Sequence, residues 1–418
     1  MTTIASGART TESKNVAVAH TPTPSSEDAT EFLVFEVAVE FVPDIREETF
    51  HICYGVYRAT LNLPLDGGGS GYFASPNDGM ITFRSGGNIC PSMTTHREPL
   101  DSVLDTIAET PLVRVQASPD EVPVYAKLES FNPGASVKDR IGKYMLEQML
   151  ADGTLPEGGT VVEPTAGNTG IGIAVAANQL GIRAVFVVPE RFSVEKQTLM
   201  RALGADVVNT PTEDGMGGAI DRAHQLAEEL DDAVVPQQFS NPLNPEAHYE
   251  TTAPEVYDAL DDEVGALVAG CGTAGTLMGM ARYGRERHED TYVTAVEPAG
   301  SLYSTLHGRD VEEAEYKTEG IGTHNPATNE LFEPDLVDEI VQIDDRDTHA
   351  EMQRLAAEEG HLVGSSAAAN CLAAVDLAER AAAGEVDLPY DSVVTVFADS
   401  SERYLSKGVY GDFESWEG

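Results

Sequence analysis

From residue 97 onward, short apolar runs alternate with helical runs almost without a break, and this rhythm constrains the fold more than any other feature. Strand-like runs fall at 122–128, 160–163, 184–188, 205–209, 233–235, 265–269, 292–296 and 392–398. Helical runs fall at 137–150, 171–180, 193–204, 219–230, around 255–260, and at 276–284, 349–359 and 366–382. Repeated βα units with apolar strands bury both faces of a parallel sheet under helices. The expected fold class is therefore α/β, two-lobed, with parallel-rich twisted sheets and helices on both faces. In such sheets ligands bind in the loops at the carboxyl ends of the strands.

Residues 1–92 lack this rhythm. They mix Thr/Ser-rich stretches, one alternating run at 32–42 and Gly-rich segments such as Gly67-Gly-Gly-Ser-Gly71. They read either as an extension with a little β structure or as a segment that is not translated, with Met93 as a natural start; the second reading is preferred. The intact mass of the natively expressed protein distinguishes the two.

The charge balance is extreme, with 26 basic against 70 acidic residues and a net charge of −44. Such a surface repels nucleic acid and anionic membranes. The acids are scattered and not gathered in one tail, a pattern expected of a cytoplasmic protein from a high-salt cell, where carboxylates keep the surface hydrated. No apolar run is long enough to span a bilayer. The four cysteines show no CxxC spacing and suit a reducing compartment. The histidines form no HExxH-like cluster, so no catalytic metal is expected.

Four loops could carry chemistry. Phe131-Asn-Pro-Gly-Ala-Ser-Val-Lys138-Asp-Arg140 reads as a Pro-Gly turn entering a helix, with Ser136 and Asp139 as a capping box. Lys138 then lies in the first turn, where the positive dipole end disfavours an ammonium. That makes it a candidate for a lowered pKa and Schiff-base chemistry, against the plainer reading of a surface lysine. Gly270-Cys-Gly-Thr-Ala-Gly-Thr276 follows a strand and opens a helix, the arrangement of a phosphate cup. Its Gly270, Gly272 and Gly275 also match GxGxxG, with Glu297 at the end of the next strand, so a dinucleotide-binding dehydrogenase is a rival. Thr273 and Thr276 favour a phosphate monoester. Thr165-Ala-Gly-Asn-Thr-Gly170 suits a carboxylate, with Asn168 able to donate to a phenolate-type oxygen; alone it reads equally as an N-cap turn. At Gly364-Ser365-Ser366 a serine either caps a helix or offers a neutral hydroxyl to a heterocycle nitrogen.

Several ordered motifs then bring in a resemblance. They are Glu109-Thr-Pro-Leu-Val-Arg114, the Lys138 stretch, Glu163-Pro-Thr-Ala-Gly-Asn-Thr-Gly170, Gln238-Phe-Ser-Asn-Pro, Asn244-Pro-Glu-Ala-His-Tyr, the Gly270 loop, Glu319-Gly-Ile-Gly322 and Asp399-Ser-Ser-Glu-Arg-Tyr-Leu-Ser406. Together, over about residues 97–408, the chain resembles the cysteine synthase and cystathionine β-synthase family. These are pyridoxal-phosphate enzymes of fold type II, the tryptophan-synthase-β fold. The resemblance implies that Lys138 is the Schiff-base lysine and Asn168 the partner of the ring's phenolic oxygen. It implies that Gly270, Gly272, Thr273, Ala274, Gly275 and Thr276 hold the phosphate and that Ser365 faces the pyridine nitrogen. Thr165, Ala166, Gly167, Thr169 and Gln238 would take the substrate carboxylate, and Gly320 would approach the ring.

The implied reaction is β-replacement on a serine-type amino acid, first O-acetylserine with sulfide, alternatively serine with homocysteine. Freed from the cofactor, Lys138 would take the α-proton. A large cofactor domain (97–131 and 244–410), a smaller mobile one (132–243) and a homodimer are expected with it. Some positions depart from the family pattern. Ala166 stands where serine is usual, Ser401 where glycine is usual, and Thr323-His-Asn-Pro326 where an aromatic-containing segment is usual. Ala274 replaces a loop glycine, which is tolerable if φ is negative there.

Overall fold

The structure, a computed structural model, describes residues 99–417 and four short strands before them. Those strands, β1 (Val39–Phe41), β2 (Thr49–Cys53), β3 (Ser70–Ala74) and β4 (Met80–Arg84), form one sheet in the order β1-β2-β3-β4. They belong to a separate compact unit, residues 1–99. The alternating run at 32–42 overlaps β1; the remaining expectations for residues 1–92 lie outside the described residues.

The second unit carries two sheets. The six-stranded one has the order β13-β12-β11-β14-β6-β5. Its members are β5 (Leu112–Arg114), β6 (Val124–Leu128), β11 (Ala266–Gly270), β12 (Tyr292–Pro298), β13 (Glu339–Ile343) and β14 (Val393–Phe397). All neighbours are parallel except β5 against β6. The four-stranded sheet, fully parallel, has the order β10-β7-β8-β9. It comprises β7 (Thr160–Pro164), β8 (Arg183–Pro189), β9 (Asp206–Thr210) and β10 (Ala233–Val234). The helices are α1 (Lys138–Ala151), α2 (Asn168–Leu180), α3 (Val194–Ala202), α4 (Gly215–Glu229), α5 (Leu243–Ala247), α6 (Ala253–Ala259), α7 (Gly275–Arg287), α8 (Asp345–Arg354) and α9 (Ser365–Ala382).

Strand periodicity explains the layering, because successive side chains point to opposite faces. Along β11, Ala266 and Val268 join the core under α9, while Leu267 and Ala269 join the core under α7. Along β8, Ala184, Phe186 and Val188 face one core and Val185 and Val187 the other. Both sheets are thus covered on both faces, as the apolar runs require. Among the described residues, no helix is long and apolar enough to cross a membrane.

Two helices meet closely enough to set the site. A Cβ on Gly142 of α1 would lie 2.4 Å from the Gly172 carbonyl carbon, and one on Gly172 of α2 would lie 2.4 Å from the Lys138 carbonyl oxygen. Only glycines permit that crossing, and it sets Lys138 beside the first turn of α2, where Asn168 stands.

Helix α1 is also tied down by a buried ionic network. Arg140 donates from Nε to Glu129 at 2.7 Å and from Nη1 to Glu255 at 2.7 Å; Lys127 pairs with Glu255 at 2.7 Å and donates to the Thr110 carbonyl at 2.6 Å. Two cations face two anions, so the charges balance, as buried ions require. The capping box expected of Ser136 and Asp139 does not form, because Val137 takes the N-cap of α1 and no side chain caps it. Ser136 Oγ accepts from Lys138 N at 3.3 Å, but the Asp139 carboxylate turns back to the Gly134 amide inside the Pro-Gly turn. Burial pushes Asp139 up to about 7.

Candidate active site

A cavity opens at the carboxyl ends of β11 and β14. It is lined by Lys138, Asn168, Gly270, Gly272, Thr273, Ala274, Thr276, Gly320, Ile321, Ser366, Asn370, Asp399 and Tyr404, with Val137, Ala269, Val396 and Ala398. Lys138, at the start of α1, is half-buried. Loss of hydration there pulls its ammonium down to about 8, and the nearby Asp399 carboxylate pulls the other way. The lowered pKa that the helix position suggests is present, with burial as its leading cause.

Opposite lies the loop from Gly270 into α7. A Cβ on Gly275 would sit 1.9 Å from Asn244 Oδ1, and one on Gly272 would sit 2.3 Å from the Gly320 carbonyl oxygen. The loop is therefore pressed against Asn244 and the Gly320 turn, and no larger residue fits. Its two hydroxyls are held from behind. Asn244 Nδ2 donates to Thr273 Oγ1 at 3.0 Å, and His248 Nε2 meets Thr276 Oγ1 at 3.2 Å. Burial and the neighbouring Lys138 and Arg140 charges keep His248 well below the usual imidazole range, so its ring is neutral. The structure overturns the condition set for Ala274: its φ is +64°, in the left-handed region, because the chain turns there to enter α7.

Asn168 is held at both ends. Its Nδ2 donates to Asp399 Oδ2 at 2.7 Å, and its Oδ1 accepts from Arg403 Nη1 at 3.0 Å. Asp399 is buried and also accepts from Tyr404 Oη at 2.5 Å. Ser365 stands outside the cavity lining: its Oγ accepts from the Glu319 amide at 2.9 Å, and Ser366 is the serine that lines the cavity. Consecutive helical positions point about 100° apart, so these two buried serines face different neighbours, Ser365 the Glu319 amide and Ser366 the cavity.

The expected carboxylate loop sits beside this cavity and outside its lining. Thr165 Oγ1 accepts from Gly167 N at 3.2 Å, Ala166 is half-buried, and Gly167 has open space where a side chain would go. Thr169 Oγ1 donates to Gln238 Oε1 at 2.6 Å. Gln238 is buried, and its amide and that of Gln237 point at the Glu163 carboxylate, which burial pushes up to about 7. Gly320 lines the cavity with φ +84°.

Glu297, the ribose acceptor of the dehydrogenase reading, is fully buried. Its oxygens accept from the Tyr303 amide at 2.7 Å, the Ser304 amide at 3.0 Å and Gln342 Nε2 at 3.1 Å. It faces the inside of the protein and offers nothing to a ribose.

The donor set fits pyridoxal phosphate. One amine of lowered pKa stands across from a helix N-terminus with two hydroxyls suited to a dianion. Between them lie the Asn168 amide, the Ser366 hydroxyl and Asn370 Oδ1, a buried oxygen without a hydrogen-bond partner among the described residues. Sequence reasoning gave no role to Asn244, His248, Asp399 or Arg403. Each lies in a motif that carries the resemblance, but only the folded chain shows what it touches.

Comparison with known proteins agrees with this geometry. The profile of the family described as Pyridoxal-phosphate dependent enzyme matches residues 103–399. The O-acetylserine dependent cystathionine beta-synthase of Bacillus subtilis is 42% identical over 318 residues, covering 74% of this chain and 98% of the relative. A cysteine synthase of Helicobacter pylori is 41% identical over 315 residues, covering 74% of this chain and 99% of the relative. The crystal structure of the O-acetylserine dependent cystathionine beta-synthase from Helicobacter pylori superposes with a TM-score of 0.66 at 40% identity, over 75% of this chain and 100% of that one. That of the cysteine synthase from Entamoeba histolytica gives 0.70 at 32% identity, over 78% and 94%. With its lysine, its glycine- and threonine-rich loop and these likenesses in one place, the chain belongs to the pyridoxal-phosphate dependent enzyme family, with the fold of the cysteine synthases.

Proposed function

We propose that this protein is a cysteine synthase: it joins O-acetylserine and sulfide to give cysteine and acetate. The observation that carries the reading is Lys138, an amine lowered to about 8, facing the Gly270–Thr276 cradle across one cavity in a chain about 40% identical to cysteine synthases. Pyridoxal phosphate, bound there, supplies the electron sink for chemistry at the amino acid's α-carbon. Lys138 would hold the cofactor, and its free amine would take the α-proton; a pKa near the working pH suits a general base. Thr273, Thr276 and the first amides of α7 would hold the phosphate, with Asn244 and His248 fixing the hydroxyls. Asn168 would donate to the ring oxygen. Ser366, in place of Ser365, offers the ring nitrogen a neutral hydroxyl. Thr165, Ala166, Gly167 and Thr169 dock the substrate carboxylate, with Gln238 holding Thr169.

Residues 132–243, which include the four-stranded sheet, act as the smaller moving lobe, and 97–131 with 244–410 as the cofactor lobe. The protein works as a homodimer in the cytoplasm of a high-salt cell. A second reading has homocysteine as the nucleophile on the same O-acetylserine. The relative named for cystathionine formation, at 42% identity, favours it.

The test is the visible spectrum of the protein in high salt, wild type beside Lys138→Ala. A yellow band in wild type that moves on adding O-acetylserine, and is absent from Lys138→Ala, is expected. Sulfide or homocysteine then restores the band, and the faster of the two identifies the nucleophile. No band after resupplying pyridoxal phosphate would sink the reading.

A further inference from the structure

Asp399 and Arg403 take no part in the chemistry above, yet both reach the same side chain. Asn168 gives its amide nitrogen to Asp399 and its carbonyl oxygen to Arg403, at 2.7 and 3.0 Å. An ionised carboxylate only accepts hydrogen bonds, and a guanidinium only donates. Turning the Asn168 amide by half a rotation would set NH2 against guanidinium and oxygen against carboxylate, losing both bonds. The clamp is itself fixed. Val137 N donates to the Ala398 carbonyl at 2.8 Å, Gly364 N donates to the Asp399 carbonyl at 3.3 Å, and Tyr404 Oη holds the Asp399 carboxylate. A Cβ on Gly364 would lie 2.1 Å from Asp399 Oδ1, so the carboxylate has no room to swing that way. Burial raises the Asp399 carboxyl above its ordinary range, against the Tyr404 and Asn168 hydrogen bonds and the Lys196 and Arg403 charges, with the Lys196 ammonium 4.3 Å over the Tyr404 ring.

We infer that Asp399 and Arg403 are positioning residues that decide which end of the Asn168 amide faces the cavity. An amide nitrogen carries two hydrogens. One goes to Asp399, and the other is presented to the ligand. Asn168 is thereby made a donor only, matched to an oxyanion and mismatched to a hydroxyl that needs an acceptor. The inference rests on the reading above, in which that oxyanion is the phenolic oxygen of pyridoxal phosphate.

A double-mutant cycle on the cofactor-loaded protein tests it, read by the dissociation constant for pyridoxal phosphate and by the position of the visible band at one pH. Asp399→Asn keeps the shape but can donate as well as accept, so it permits either amide orientation. Asp399→Asn and Asn168→Ala are each expected to weaken cofactor binding about tenfold, the order of one charge-assisted hydrogen bond, and to move the band in the same direction. Read well above pH 8, where Lys138 is already the free amine and losing the Asp399 charge no longer changes it, Asp399→Asn is expected to add nothing in the Asn168→Ala background. A full effect in that background, or none in wild type, would overturn the clamp. If Asp399→Asn does not fold, Arg403→Met, at a half-exposed residue, carries the same cycle. Absence of any band in wild type would defeat the cofactor reading and this inference with it, whereas additive effects on an intact band defeat the clamp alone.

Discussion

At the scale of single residues, two side chains carry most of what can be checked. Lys138 reacts with an aldehyde only as the free amine, and its pKa of about 8 sets the fraction available. The rate at which cofactor-free protein captures pyridoxal phosphate is expected to rise tenfold per pH unit below about 8 and to level off above it. Stopped-flow appearance of the visible band measures this. Removing the Asp399 charge, which props the lysine up, should bring the plateau in at lower pH. Ala274 carries a Cβ at φ +64°, where an L-residue is strained by roughly 1–2 kcal/mol. Ala274→Gly is expected to stabilise the protein by about 1 kcal/mol, read as a higher urea midpoint at unchanged slope. The sequence marks Ala274 as a departure, but the sign of its φ depends on how α7 meets the loop. Ser365 and Ser366 make the same point. A pair of serines at a helix start is legible, and the seating of α9, with Ser365 on the Glu319 amide, leaves Ser366 to line the cavity.

At the scale of elements, the βα rhythm locates most strands and helices from residue 122 onward, with ends shifted by a few residues, and leaves out the short β5 and α5. The larger misses have plain causes. β13, Glu339–Ile343, is a short half-polar edge strand, and its pairing with β12 supplies the structure that its own sequence does not declare. α2 begins at Asn168, three residues before the apolar run that announces it, because Gly167 takes the N-cap and the polar residues of the loop form the first turn. Asp139 follows the capping-box spacing but serves the Gly134 turn. The network around Arg140 gives the element-scale prediction. Glu129 is fully buried and takes two guanidinium bonds, at 2.7 and 2.9 Å. Glu129→Ala leaves the Arg140 charge buried without one of its two anions and is expected to cost about 3–5 kcal/mol in equilibrium denaturation. Because α1 presents Lys138, cofactor capture should slow in the same variant.

At the scale of the whole molecule, charge dominates. A net charge of −44 is tolerable when salt screens it, but the Debye length grows to about 30 Å at 0.01 M. Carboxylates across the surface then repel one another, and desalting is expected to unfold the protein. Far-UV circular dichroism that stays unchanged on transfer to 0.01 M salt would refute this. Composition, apolar periodicity and motif order are properties of the chain taken in line. They determined the α/β class, the βα order behind the parallel sheets and the Lys138 and Gly270 loops, because these are written in short runs of neighbouring residues; the cofactor was implied by the resemblance that the ordered motifs carry. The crossing of α1 and α2 at Gly142 and Gly172, the threonines steadied by Asn244 and His248, and the two-ended hold on Asn168 depend on residues tens to hundreds of positions apart. The tertiary structure alone decided these, since hydrogen bonds and steric contacts act over a few ångströms in space, whatever the separation along the sequence.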